Sequence, residues 1–304
     1  GIGKTAATLF AALKALPLRG TDKLFYLTAR TTGRQLALDA LARLGGFHPA
    51  AGGRWTLPLR VLERVAREKA CEHPDKACHG ESCPLARGFY DRLPSARSEA
   101  AQAGWLDRDA LRRVALAHQV CPYYLGQEML RWADVAVGDY NHVFDLGAHW
   151  PALADENGWT TALLVDEAHN LIDRARSMYS ATLAPAPFQQ LRAQAPAALK
   201  KPLDRVHRAW NALAHERQAR GQAELTVLDA PPAEFAAALQ ALGSAIGDHL
   251  AQHPEATADD ALSRWHFDAL HWQRVAELFD SHTLCDLSAA PPAPRGTPRT
   301  RLDQ

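Results

Sequence analysis

The sequence has no apolar run approaching the roughly 20 residues of a membrane-spanning helix, and its start lacks the charged-then-apolar layout of a secretory signal. It has no excess of either charge, 34 Lys and Arg standing against 34 Asp and Glu, so it is not a simple polycation that coats nucleic acid along its whole length. Cysteine is scarce. There are five, an odd number, in a chain without a secretory signal, which argues against a disulfide scaffold and for a metal or cluster site in a reducing compartment. A cytoplasmic protein is expected. No internal repeat is visible.

What is present is uneven. Residues 1–60 carry nine Lys and Arg and only Asp22 and Asp39 as acids, whereas residues 132–190 carry eight acids against Arg174 and Arg176. A basic segment suits phosphates and an acidic one suits a divalent cation, although solvated helix faces would give the same counts. Residues 4–16 are strong helix formers that stop before Pro17, Lys23–Thr28 is a strand-like run, residues 30–34 are a polar loop, and Gln35–Leu44 is a helix ended by Gly45-Gly46. Strand, loop and helix in that order begin an α/β layer structure. From about Arg54 to residue 87, cysteines, prolines and histidines break the periodicity. Helical stretches are expected near 106–118 and 122–132, and buried-strand patterns at Asp134–Gly138 and Thr161–Asp166. Residues 186–285 are alanine-rich and helical in pattern, and the Ala- and Pro-rich run from Ala289 to Pro298 is expected to lie outside any packed core.

Three motifs carry chemistry. Gly1-Ile2-Gly3-Lys4-Thr5 before a helix is the second half of a phosphate-binding loop: backbone N–H groups cradle the anion, Lys4 reaches the β- and γ-phosphates, and the Thr5 hydroxyl binds Mg²⁺. The first glycine of G-x-x-x-x-G-K-[ST] would precede residue 1, so the chain is expected to be cut there, and at its other end as well. The run Leu163-Leu164-Val165-Asp166-Glu167-Ala168-His169-Asn170 is an apolar strand delivering two acids at its C-terminal end. Asp166 would hold Mg²⁺, Glu167 would polarise the attacking water, and His169 would couple the nucleotide site to a neighbouring domain. Together the two motifs point to ATP binding. Third, Cys71-x6-Cys78-x4-Cys83-x37-Cys121 provides four thiolates, with Pro84 and Pro122 following two of them. They suit a 4Fe–4S cluster or a tetrahedral zinc, with His73 and His79 as substitute zinc ligands, although the spacings are more open than those of the common C-x2-C zinc ribbon. Cys285 is read as a small buried apolar residue. Phe89, Tyr90, Tyr123, Tyr124, Tyr140 and Phe144 lie near Arg87, Arg92 and Arg131 in sequence, a mixture used to stack and neutralise single-stranded nucleic acid, although most of these rings are expected in the core.

In this order, the phosphate loop, the passage Phe25–Arg34, the four cysteines, the passage from Cys121 to Asp145, and Asp166-Glu167-Ala168-His169 resemble the XPD-like and DinG-like helicases, a DEAH-type branch of superfamily 2 with an iron–sulfur domain. The resemblance implies an α/β, RecA-like motor domain over residues 1–53 and 132–185, with an iron–sulfur domain over 54–131 inserted between its strands. It further implies a helical arch over 186–285 and a disordered or non-native tail over 286–304. It implies that Arg30, Thr31, Thr32 and Arg34, as motif Ia, touch the DNA backbone, and Tyr140 is placed with them on the DNA path. The implied activity is ATP-dependent, 5′ to 3′ translocation on single-stranded DNA and unwinding of duplex or branched DNA, with ATP, Mg²⁺ and a 4Fe–4S cluster as cofactors. A second motor domain, which supplies an arginine to the transferring phosphoryl group, is absent from the sequence, so this chain alone is expected to hydrolyse ATP feebly or not at all. Two other readings compete: a non-catalytic module that grips single-stranded DNA, and a zinc-containing phosphate-loop ATPase unrelated to unwinding.

Overall fold

Lys23–Thr28 forms strand β1 and is buried along its whole length, as a strand covered on both faces must be. The computed structural model describes residues 3–47, 55, 57–219, 225–253, 261–290 and 299–303, in two compact units, Gly1–Ala175 and Arg176–Gln304. The first begins with α1 (Lys4–Arg19), β1, α2 (Thr31–Leu44) and β2 (Val61–Glu63). It continues through α3 (Arg67–Ala70), α4 (Phe89–Ala103), β3 (Trp105–Leu106), α5 (Arg108–Ala117) and α6 (Pro122–Met129). It closes with β4 (Val135–Asp139), α7 (Asn141–Phe144), α8 (His149–Asn157), β5 (Thr161–Val165) and the start of α9 (Leu171–Met178).

The five strands form one sheet in the order β3-β2-β4-β1-β5, parallel at every pairing. Because β1 lies between β4 and β5, the C-terminal ends of these three strands collect at one edge: Thr28 pairs with Asp139, and Leu27 with Val165. In an open parallel sheet that edge is where ligands bind. The α/β class expected from the sequence is the class observed. α1 and α2 cover one face through Leu9, Ala37, Leu38 and Leu41, and a ring cluster of Phe47, Trp55 and Trp105, with centroids 5.1–5.6 Å apart, closes the core.

The boundaries differ from expectation in four places. α1 runs through Pro17 to Arg19 and ends on Gly20 in the left-handed conformation; proline removes one backbone donor, and the packed face of the helix outweighs that loss. α2 starts at Thr31, so the residues read as a polar loop form its first turn. β2 and β3, from the segment assigned to the inserted domain, pair into the motor sheet itself. In the second unit, α10 (Pro185–Gln194), α11 (Lys200–Ala219), α12 (Ala233–Gln252) and α13 (Ala261–Glu277) share it with an antiparallel sheet of β6 (Thr182–Leu183), β7 (Leu225–Leu228), β8 (Cys285–Ala290) and β9 (Arg299–Asp303), in the order β6-β9-β8-β7. The last segment, expected to lie outside any core, thus supplies two strands, because β8 pairs on both sides with β7 and β9. Residues 291–298 lie outside the described residues. The helices pack through Phe188, Trp210, Phe235, Trp265 and Trp272, whose ring centroids are 5.1–5.6 Å apart, and Cys285 is buried as expected. Among the described residues no helix is long and apolar enough to cross a membrane.

Candidate functional site

A glycine in the left-handed conformation, Gly3 with φ 67°, turns the chain into α1, so Lys4 and Thr5 stand at the helix N-terminus, where unpaired N–H groups and the helix dipole favour an anion. Gly1 lies outside the described residues. On the neighbouring strand β5 the chain leaves the sheet at Asp166, whose N–H donates to Leu27 O at 2.8 Å. Lys4, Thr5, Thr8, Tyr26, Asp166 and Glu167 line one cleft of about 270 Å³. Thr5 and Asp166 line this cleft with Tyr26, which lies between the two motifs in the sequence. Burial first, with Asp166 contributing, pushes the Tyr26 hydroxyl above the usual phenol range. A hydroxyl and a carboxylate lining one cleft, beside a lysine and a helix N-terminus, fit Mg²⁺ carried by a polyphosphate.

The turn after β5 is built unusually. Glu167 has φ 50° and ψ 47° and leads into a 3₁₀ turn over Ala168–Asn170. The Tyr140 hydroxyl donates to the carbonyl of Asp166 and lies 3.0 Å from that of Glu167. Tyr140 is fully buried, so the structure corrects its expected place on the DNA path: the ring is inside, and its one polar atom is used by the backbone of this turn. His169 Nδ1 stands 3.4 Å from Glu167 Oε2, both side chains well exposed.

A second cleft, of about 370 Å³, is lined by Thr28, Arg30, Thr32, Gly33, Asp166, Glu167, His169 and Asn170 among others. Arg30 and Thr32 therefore share a wall with the acidic turn. Gly33 permits this approach, since a Cβ there would lie 2.3 Å from Thr28 Oγ1 and 3.2 Å from Asp166 Oδ2. Thr31 is exposed and accepts a 3.4 Å contact from Lys69 Nζ. Arg34 is corrected: it is 6% exposed and its Nε donates to Glu63 Oε1 at 2.8 Å, so it ties α2 to β2 and has no free face for DNA. Sequence reasoning missed Tyr26, Gly33 and the Asp139–Arg174 ion pair (3.0 Å). A tyrosine inside an apolar strand, near the end that bears the motif, was the available signal.

Of the cysteines, Cys83 is buried, Cys71 and Cys121 are half-buried and Cys78 is exposed. Cys121 caps α6 with Pro122 in the first turn; burial, and after it Cys71 and Cys78, push its thiol up. Arg67 Nη1 lies 4.0 Å from Cys78 Sγ, and His79 Nε2 is buried without a hydrogen-bond partner. Three of the four thiols are thus near enough to feel one another. Among the described residues, however, no three His, Cys, Asp or Glu side chains stand close enough to hold one metal ion; thiolates sharing a zinc would need to approach within about 4 Å. Beside them, Phe89, Tyr90, Tyr123 and Tyr124 form a chain of ring contacts with centroids 5.3–6.1 Å apart. Tyr90 is 82% exposed.

Comparison with known proteins finds likenesses in sequence and in fold. The DEAD_2 family model matches residues 59–187. The chain is 28% identical over 141 residues to the Regulator of telomere elongation helicase 1 homolog of Anopheles gambiae, covering 41% of this chain and 14% of that protein. It is 24% identical over 118 residues to the General transcription and DNA repair factor IIH helicase subunit XPD of Dictyostelium discoideum, covering 37% of this chain and 14% of that one. The chain therefore spans about one seventh of the length of these relatives. A solved XPD helicase shares its fold with a TM-score of 0.51 at 15% identity, covering 99% of this chain and 48% of the other. The chain is thus similar in sequence, over the stretch that the DEAD_2 model matches at residues 59–187, to these helicases, and similar in fold to a solved XPD helicase.

Proposed function

We propose that this chain is the ATP-binding part of a DNA helicase that moves 5′ to 3′ on single-stranded DNA and opens duplex or branched DNA. The observation that carries the reading is the meeting of Lys4 and Thr5 with Asp166 and Glu167 in one cleft at the C-terminal edge of the parallel sheet. Lys4 neutralises the terminal phosphates, Thr5 and Asp166 hold the cation, and Glu167 orients and polarises water. Bound Mg²⁺ supplies charge neutralisation along the polyphosphate. Arg30 and Thr32, across the acidic turn, are positioned to meet a DNA backbone, and the exposed rings of Tyr90 and Tyr124 offer stacking surfaces beside the cysteines. The four cysteines hold a 4Fe–4S cluster with a structural role. Among the described residues, those lining the nucleotide cleft include no arginine, and this chain alone binds nucleotide and turns it over slowly.

The test pairs two substitutions. Lys4→Ala should lower the affinity of this chain for Mg²⁺-ADP at least tenfold. Glu167→Gln should keep that affinity while abolishing DNA-stimulated ATP hydrolysis in a helicase carrying both motor domains. Equal nucleotide affinity in wild type and Lys4→Ala would sink the assignment of the cleft.

A further inference from the structure

Glu167 is one of two non-glycine residues with positive φ among those described; the other is Gln119. Gln119 follows the C-terminus of α5, where Val120 N–H returns to Ala115 O at 2.9 Å, an ordinary way to end a helix. Glu167 stands at the end of a strand and has no such explanation. A left-handed backbone is strained for a residue with a Cβ, so neighbours must hold it.

Three donors do so. Asn170 N–H and Asn170 Nδ2 approach Glu167 O at 2.9 and 3.1 Å, and the Tyr140 hydroxyl spans the carbonyls of Asp166 and Glu167. Tyr140 is itself fixed. It is fully buried, its ring meets Phe144 edge-on at 6.4 Å, and the preceding Asp139 is locked by Arg174 at 3.0 and 3.1 Å. Glu167 lines both clefts, so the conformation of the 166–167 peptide sets which of them its carboxylate can face.

We propose that Tyr140 is a positioning residue for ATP hydrolysis: its hydroxyl, with Asn170, holds the left-handed peptide that aims the Glu167 carboxylate into the nucleotide cleft. This rests on the reading of Glu167 as the residue that polarises water. Tyr140 touches neither nucleotide nor DNA.

Tyr140→Phe removes the hydroxyl and keeps the ring. In this chain it should speed amide hydrogen exchange over residues 167–170 by about tenfold or more, leaving exchange in β1 and the affinity for Mg²⁺-ADP within twofold of wild type. In the helicase with both motor domains, kcat for DNA-stimulated hydrolysis should fall about tenfold with KM for ATP within twofold. A tyrosine that merely fills the core would leave kcat unchanged or move KM and unfolding together, and either result overturns the proposal. Should Tyr140→Phe fail to fold, Asn170→Ala removes a second donor to the same carbonyl. It should lower kcat without changing KM, and an unchanged kcat there overturns the proposal. Glu167→Gln run alongside separates the two readings. If it hydrolyses ATP normally, the role of Glu167 fails; if it is dead while Tyr140→Phe is normal, only the positioning role fails.

Discussion

His142 shows how one buried residue sets a pH limit on the fold. Its ring stacks on Trp150 at 4.8 Å with 7° between planes, beneath Gly138, where a Cβ would come within 2.7 Å of His142 Cδ2. Burial, then the positive charges of Arg64 and Arg34, pushes its pKa down to about 4. The unfolded chain, with an ordinary histidine near 6.5, therefore binds a proton that the folded chain refuses as pH falls through that window. The neutral ring contributes its full stability above about pH 6.5, and by pH 4.5 about 2 kcal/mol of it should be gone. Urea unfolding at several pH values measures this, and His142→Phe, which keeps the stack, should flatten the slope. An equally steep pH dependence in that variant would remove His142 as the cause. The same scale explains the two misplaced DNA contacts. Arg34 and Tyr140 have the residue types that nucleic acid prefers, but each has an internal partner, and no composition rule reveals a partner 29 or 26 positions away.

At the scale of elements, the start of β1 is tied to the end of α6 by a buried lysine. Lys23 Nζ donates to Arg131 O at 2.8 Å and Ala133 O at 2.6 Å, with Leu130 O at 3.4 Å, and lies 4.2 Å from the centre of the Trp159 ring. These are carbonyls at a helix end that would otherwise be orphaned, and a cation there also complements the helix dipole. Burial draws the ammonium below the usual lysine range, with Asp134 opposing it. Lys23→Met keeps the stem and loses the donors, so about 2–4 kcal/mol of stability should go, read as a fall in the urea midpoint with the slope unchanged. A loss below about 0.5 kcal/mol would show that water serves these carbonyls equally well. Sequence periodicity located α5, α6, β1, β4 and β5 within a few residues, because each carries its own apolar pattern. It missed β2 and β3, three and two residues long, since so short a strand has no pattern apart from its neighbours.

For the whole molecule, the open question is what the four cysteines hold. Among the described residues no three His, Cys, Asp or Glu side chains converge on one ion, and ligands shared among several irons stand farther apart than those sharing one zinc. Anaerobic preparation of the chain should yield about four irons and four sulfides per molecule, both lost in Cys121→Ser. Stoichiometric zinc without sulfide would leave the nucleotide site standing and remove the cluster.

The sequence by itself determined the α/β class, the central strands and the presence in one chain of Gly3-Lys4-Thr5 before a helix and of an acidic strand end at Asp166-Glu167, because those features are written in local periodicity and in contiguous motifs. Only the tertiary structure decided that β1 lies between β4 and β5, and that Thr5 and Asp166 line one cleft. It also decided that residues 285–290 and 299–303 belong to a sheet, and that Tyr140 faces the acidic turn. Each of these depends on strand pairing or burial between residues far apart in the chain, whose energies arise only when the backbone brings them together.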